Sequence, residues 1–157
     1  MDRRSTSKLA HSISAAASHE ATKEQDAELA AVRAANRAYY MALSARDLIA
    51  MEKVWSQSSE VVNIAPPIQP VAHVGWDAVK RNYESFWAKL ADLAVSMDEP
   101  VIRIEGNIAW AFGVEHSKRI LKNGQTSSGP NLGTSVFVKR DDRWFVVFHQ
   151  AALIPKD

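Results

Sequence analysis

The sequence predicts an α+β domain in which helices come first and a long antiparallel meander follows. Three observations carry this: apolar residues at helical spacing from Leu29 to Leu43, a switch to a two-residue period after Met97, and a last strand, Trp144 to Gln150, that is apolar on both faces. In that strand Trp144, Val146, Phe148 and Gln150 point one way, and Phe145, Val147 and His149 point the other. Water cannot cover either side. The chain's own helices cover one face, and a second copy of the chain covers the other, so a homodimer through the outer sheet face is the expected assembly.

Residues 1–27 are rich in Ser, Ala and charge, with Leu9 and Ile13 almost their only large apolar side chains. Such a segment cannot anchor a core, and a flexible or loosely helical extension is expected there, leaving 28–157 as the folded domain. No continuous apolar stretch follows Arg3, Arg4 and Lys8, which argues against a secretory signal. Leu29, Val32, Tyr39 and Leu43 then mark a long first helix in an Ala-rich background free of Pro and Gly. Asp47 is placed to cap a short second helix, Leu48 to Trp55. Glu60 to Ile64 is strand-like. The prolines in Ala65 to Pro70 exclude a helix and leave two readings, a loop over a pocket mouth or a rigid connector. Gly75 opens a third helix whose stripe is Val79, Tyr83, Phe86, Trp87 and Leu90. Strands follow at Val101 to Glu105, Ile108 to Leu121, Leu132 to Arg140 and the terminal ribbon, separated by the turns Gly106-Asn107, Lys122 to Gly124 and Asp141-Asp142.

Composition narrows the function. The chain has 157 residues and a formal net charge of +1, which suits one domain and gives no electrostatic reason to expect nucleic acid. The lack of cysteine removes disulfides and thiolate nucleophiles, and fits a reducing, cytoplasmic setting. No apolar run nears the roughly 20 residues a membrane helix needs. His73, His116 and His149 are isolated, without the paired spacing of metal ligands, so no metal is expected.

Tyr39 and Asn36 share the apolar face of the first helix and should look toward the sheet, whereas Tyr40 shares its side with Arg33, Arg37 and Ser44 and reads as a surface or interface residue. In the long strand, Trp110, Phe112, Val114 and His116 alternate with Ala109, Ala111, Gly113 and Glu115. Parity leaves open which face walls a cavity. Alternation puts Gln150 inside and His149 on the dimer side, and a bulge would reverse that.

The order of Gly75-Trp76-Asp77-Ala78-Val79, Ile108-Ala109-Trp110-Ala111, Thr134 with Val136-Phe137, and Trp144 to Gln150 resembles the SnoaL-like, ketosteroid isomerase-like group of the nuclear transport factor 2-like superfamily, over about Leu29 to Pro155. The resemblance implies a cone-shaped, cystatin-like curved antiparallel sheet with three N-terminal helices on its concave face and an apolar pocket between them. It implies cofactor-independent isomerase, cyclase or dehydratase chemistry on a small hydrophobic, aromatic or polyketide-type molecule. Isomerase-type members use a first-helix tyrosine as oxyanion donor and a carboxylate at the end of the first strand as base. Tyr39 matches the tyrosine, but Asn63 occupies the place of the base, and an amide cannot exchange a proton near neutral pH. The catalytic candidates are therefore Tyr39, Asn63 and His149, with His149 or His116 as the neutral-pH base. Asn36, Trp87, Trp110, His116, Phe148 and Gln150 are the candidate substrate contacts. The missing acid keeps open an alternative of the same fold, a non-catalytic ligand-binding or dimeric interaction module.

Overall fold

A computed structural model describes residues 3–65 and 71–154. Its elements are α1 (Arg3–Ala45), α2 (Leu48–Val54), β1 (Val62–Ala65), β2 (Val71–Val74), α3 (Trp76–Trp87), β3 (Leu90–Met97), β4 (Val101–Glu105), β5 (Ile108–Leu121), β6 (Thr126–Arg140) and β7 (Arg143–Leu153). Pro66 to Pro70, the subject of the pocket-mouth reading, lies outside the described residues.

Helix α1 starts far ahead of Leu29, and Glu28 ties it to the sheet. That carboxylate accepts hydrogen bonds from Lys139 Nζ and from Trp144 Nε1 (2.9 Å), fastening the helix to the far end of the sheet. From there Val32, Asn36, Tyr39, Tyr40 and Leu43 are buried at three- and four-residue intervals, while residues 20–27 are exposed. The helix ends where Arg46 takes a positive φ of 55° and donates to Leu90 O. Asp47 then caps α2, its Oδ1 accepting from the Ala50 amide at 3.0 Å.

One seven-stranded sheet runs in the order β2-β1-β7-β6-β5-β3, with β4 sharing the β5 edge beside β3. It is mixed rather than purely antiparallel, because β1 pairs with β7 in parallel, Asn63 opposite His149. The three helices lie against one face, where the core collects around Met51, Trp55, Val79, Tyr83, Leu90, Phe137 and Val146.

Two β-bulges account for the main departures from simple periodicity. The stripe expected to carry α3 to Leu90 belongs partly to β3: the helix ends at Trp87, and a register shift between Leu90 and Asp92 lets Leu90 and Leu93, three residues apart, both turn inward. That spacing imitates a helix. In β7, Phe137 pairs with Val146 while Val136 pairs with Phe148, so Val147 is the extra residue and side-chain parity reverses after it. Trp144 and Val146 face the helices, and then so do His149 and Ala151. Strand β6 also begins before the expected Leu132, and tolerates Pro130 because β7 pairs only from Asn131 onward.

Candidate active site

A cavity of about 450 Å³ opens between α1, α3 and the covered face of the sheet. Its walls include Tyr39 and Leu43 from α1, Tyr83 and Phe86 from α3, Asn63 from β1, Leu93 and Val95 from β3, Glu115, Ser117 and Arg119 from β5, Asn131 from β6, and His149 from β7. The three residues singled out for catalysis, Tyr39, Asn63 and His149, thus border one space. The Tyr39 and His149 rings lie 4.6 Å apart between centroids.

The polar heart is a chain of contacts that ends on a carboxylate. Glu115 is 5% exposed, and its Oε2 accepts from the Tyr40 hydroxyl at 3.0 Å. Burial pushes the Glu115 pKa up, against the lowering effects of hydrogen bonds from Tyr40 and Asn131 and of the Arg119 charge. His149 Nε2 stands 3.6 Å from the same Oε2, too long for a direct hydrogen bond. Burial pulls the His149 pKa down to about 3, so the imidazole is neutral near pH 7 and the contact is not an ion pair. On the other side of the ring, Nδ1 lies 2.9 Å from the Ser135 hydroxyl, which is completely buried. The Ser135 hydroxyl and His149 Nδ1 share this hydrogen bond, which holds the ring in place.

A second donor pair sits across the cavity. The Tyr39 and Tyr83 hydroxyls are 3.3 Å apart and both buried. Burial raises both pKa values, with the Glu115 charge adding to the effect, so both phenols keep their protons. One proton serves the hydroxyl–hydroxyl bond and the other remains for a ligand oxygen.

Several expectations are corrected by position. Gln150 is exposed on the uncovered face and Phe148 lies half-buried beside it, because the Val147 bulge reverses the alternation. Trp110 (41% exposed) and His116 are on that same uncovered face, opposite Glu115 on the strand's other side, so neither borders the cavity. Trp87 is buried behind the cavity wall, stacked on Tyr83 at 5.2 Å. Asn36 lines a neighbouring groove with Arg33 and Arg37; its Nδ2 approaches Met97 Sδ at 3.8 Å. Tyr40 is buried rather than a surface residue. Room for its pairing with Glu115 comes from Gly133: a Cβ there would lie 3.0 Å from Tyr40 Oη and 3.1 Å from Glu115 Oε2.

The sequence reading missed Glu115, Asn131 and Tyr83. The signal for Glu115 was available: a carboxylate closing a strand face otherwise made of Ala109, Ala111 and Gly113 is a charge among small core residues. Among the described residues no group of three His, Asp or Glu side chains could hold a metal ion.

A SnoaL-like domain model matches residues 32–155. The chain belongs to the SnoaL-like family. This SnoaL-like protein shares its fold with solved structures of the nuclear transport factor 2-like superfamily. It is similar to a candidate dehydratase of that group from Streptomyces avermitilis (TM-score 0.73, 19% identity, covering 83% of this chain and 99% of that one). It is similar also to a ketosteroid isomerase-like protein from Erwinia carotovora atroseptica (TM-score 0.67, 21% identity, 82% and 98% covered) and to a superfamily member from Salmonella enterica (TM-score 0.69, 23% identity, 77% and 86% covered). At these identities the likeness speaks for the fold alone. No curated protein matches the sequence significantly.

Proposed function

We propose that this SnoaL-like protein binds a small, largely apolar carbonyl compound in the cavity and moves a proton on it without a cofactor, as an isomerase, cyclase or dehydratase would. The single observation that carries the proposal is the buried Glu115 carboxylate, with its raised proton affinity, in the same cavity as the Tyr39–Tyr83 hydroxyl pair. In the proposed step the carboxylate removes a proton from the carbon next to the carbonyl. The C–H electrons pass into an enolate, whose oxygen accepts a hydrogen bond from the free tyrosine hydroxyl, which keeps its proton. The carboxylic acid then returns its proton to another carbon, or to a departing hydroxyl that leaves as water.

Glu115 thereby takes the role of base that the sequence reading gave to His149 or His116. His149, neutral and held by Ser135, lies beside the carboxylate and does not act as the base. A non-catalytic binding role draws its support from Asn63, buried where isomerase-type members carry an acid; the carboxylate that β5 delivers instead weighs against it. The homodimer belongs to the same proposal: Trp110, Phe112, Val114 and Leu132 expose a continuous apolar surface on the uncovered face, next to half-buried Val136 and Phe148.

Exchange of the α-protons of 2-tetralone for deuterium, followed by NMR in D₂O, tests the chemistry. The wild-type protein should accelerate exchange, and Glu115→Gln should lose about 10²- to 10⁴-fold of that acceleration. Equal exchange by the two proteins would rule out Glu115 as the proton carrier.

A further inference from the structure

The cavity carries a charge that proton transfer does not use. Glu115, Ser117 and Arg119 alternate along the covered side of β5, so their polar groups form a stripe from the buried floor toward the opening. Arg119 is half-buried, and its Nε donates to Ser127 Oγ at 2.6 Å. Among the described residues no carboxylate pairs with it. Its outer nitrogens are therefore left as donors beside an apolar cavity, whose other walls include Phe86, Leu93 and Val95.

We infer that Arg119 is a specificity residue for an anionic substrate: the cavity takes a small aromatic or polycyclic acid whose carboxylate lies on the Arg119 fork while its reacting carbon reaches Glu115. The inference rests on the cavity being the substrate site. Four residues of strand separate the two backbone positions by about 13 Å. Polar contacts of about 3 Å at each end leave a gap that a two-ring acid bridges. A guanidinium with one edge tied to a hydroxyl offers two parallel N–H groups that match a carboxylate. Ser117 and Asn131, which share a long 3.5 Å contact, supply further hydrogen-bonding groups along the path. Occupancy also couples the two ends. The Arg119 charge holds the Glu115 proton affinity down, and a bound carboxylate neutralises that charge, so an acid makes Glu115 the stronger base.

Matched probes test this: 2-naphthoate and its methyl ester, compared by isothermal titration calorimetry. Wild-type protein should bind the acid at least about tenfold more tightly than the ester, the worth of one charge-assisted hydrogen bond. Arg119→Gln should erase the preference, Arg119→Lys should keep part of it, and Glu115→Gln should keep it. Equal binding of acid and ester by the wild-type protein, or a preference that survives in Arg119→Gln, overturns the inference while leaving the cavity a ligand site. Failure of both probes to bind overturns the cavity reading and this inference together. The wild-type comparison needs no variant, so a poorly folding substitution does not spare the inference.

Discussion

The two faces of β5 are built from the same strand and do opposite things. On the covered side Ala109, Ala111 and Gly113 keep the backbone close to the helices and then give way to Glu115, Ser117 and Arg119, so that side passes from core to cavity. On the other side Ile108, Trp110, Phe112 and Val114 stand exposed, bulky and unbroken by charge. The difference teaches that alternation along one strand can separate chemistry from assembly. A change on one face should leave the other intact, and that independence can be tested.

The largest effect expected is that of Glu115→Gln, which should remove the exchange activity described above while the protein keeps its fold and assembly. Next comes the tyrosine pair. Because either hydroxyl can serve the ligand oxygen, Tyr39→Phe or Tyr83→Phe alone should cost about threefold in catalysed exchange, and the double variant about 10²- to 10³-fold, well beyond the product of the single losses. Additive single losses would show that the two hydroxyls do not substitute for one another. On the opposite face, Phe112→Asp places a charge in the apolar surface; sedimentation should show the proposed dimer weakened by about 100-fold or more, with exchange activity per folded chain retained. A variant that stays dimeric would move the interface elsewhere.

The smallest effect is a pH dependence of stability. His149 has a folded-state pKa below its unfolded one, so its contribution is intact above about pH 6.5 and is lost as pH falls toward 3. Between pH 6.5 and 5 this amounts to about 2 kcal/mol. Denaturant titrations should record that loss in the wild-type protein and a smaller one in His149→Gln. Glu115 acts in the opposite sense: its folded pKa is raised, so stability falls as pH climbs from the ordinary carboxylate value through the raised one, and Glu115→Gln should flatten that slope.

Much of the fold could be read from the chain because its signals were local. The Asp47 cap, the limits of β5 and the β4 strand follow from capping chemistry and two-residue alternation, and they stand in the structure where those signals put them. What misled was irregularity. The bulge near Leu90 turned a strand into an apparent helix end, and the Val147 bulge exchanged His149 with Gln150; an extra residue in a ladder leaves no mark in sequence. The parallel partnership of β1 with β7 joins segments far apart in the chain, and no local pattern encodes it. Tyr39 and His149 were singled out as polar groups on largely apolar elements and Asn63 through the family resemblance, and all three border one cavity. Glu115 was passed over because its burial depends on Tyr40, which falls among arginines in helical projection yet turns inward, and on the space that Gly133 leaves.

The most direct measurement is an infrared titration of the Glu115 carboxyl, taken as the difference between the wild-type protein and Glu115→Gln across the C=O stretching region. The account predicts a protonated-carboxyl band that persists above the ordinary glutamate range near pH 4.5 and rises further when 2-naphthoate binds. A band that vanishes at or below that ordinary range, and ignores the ligand, would contradict it.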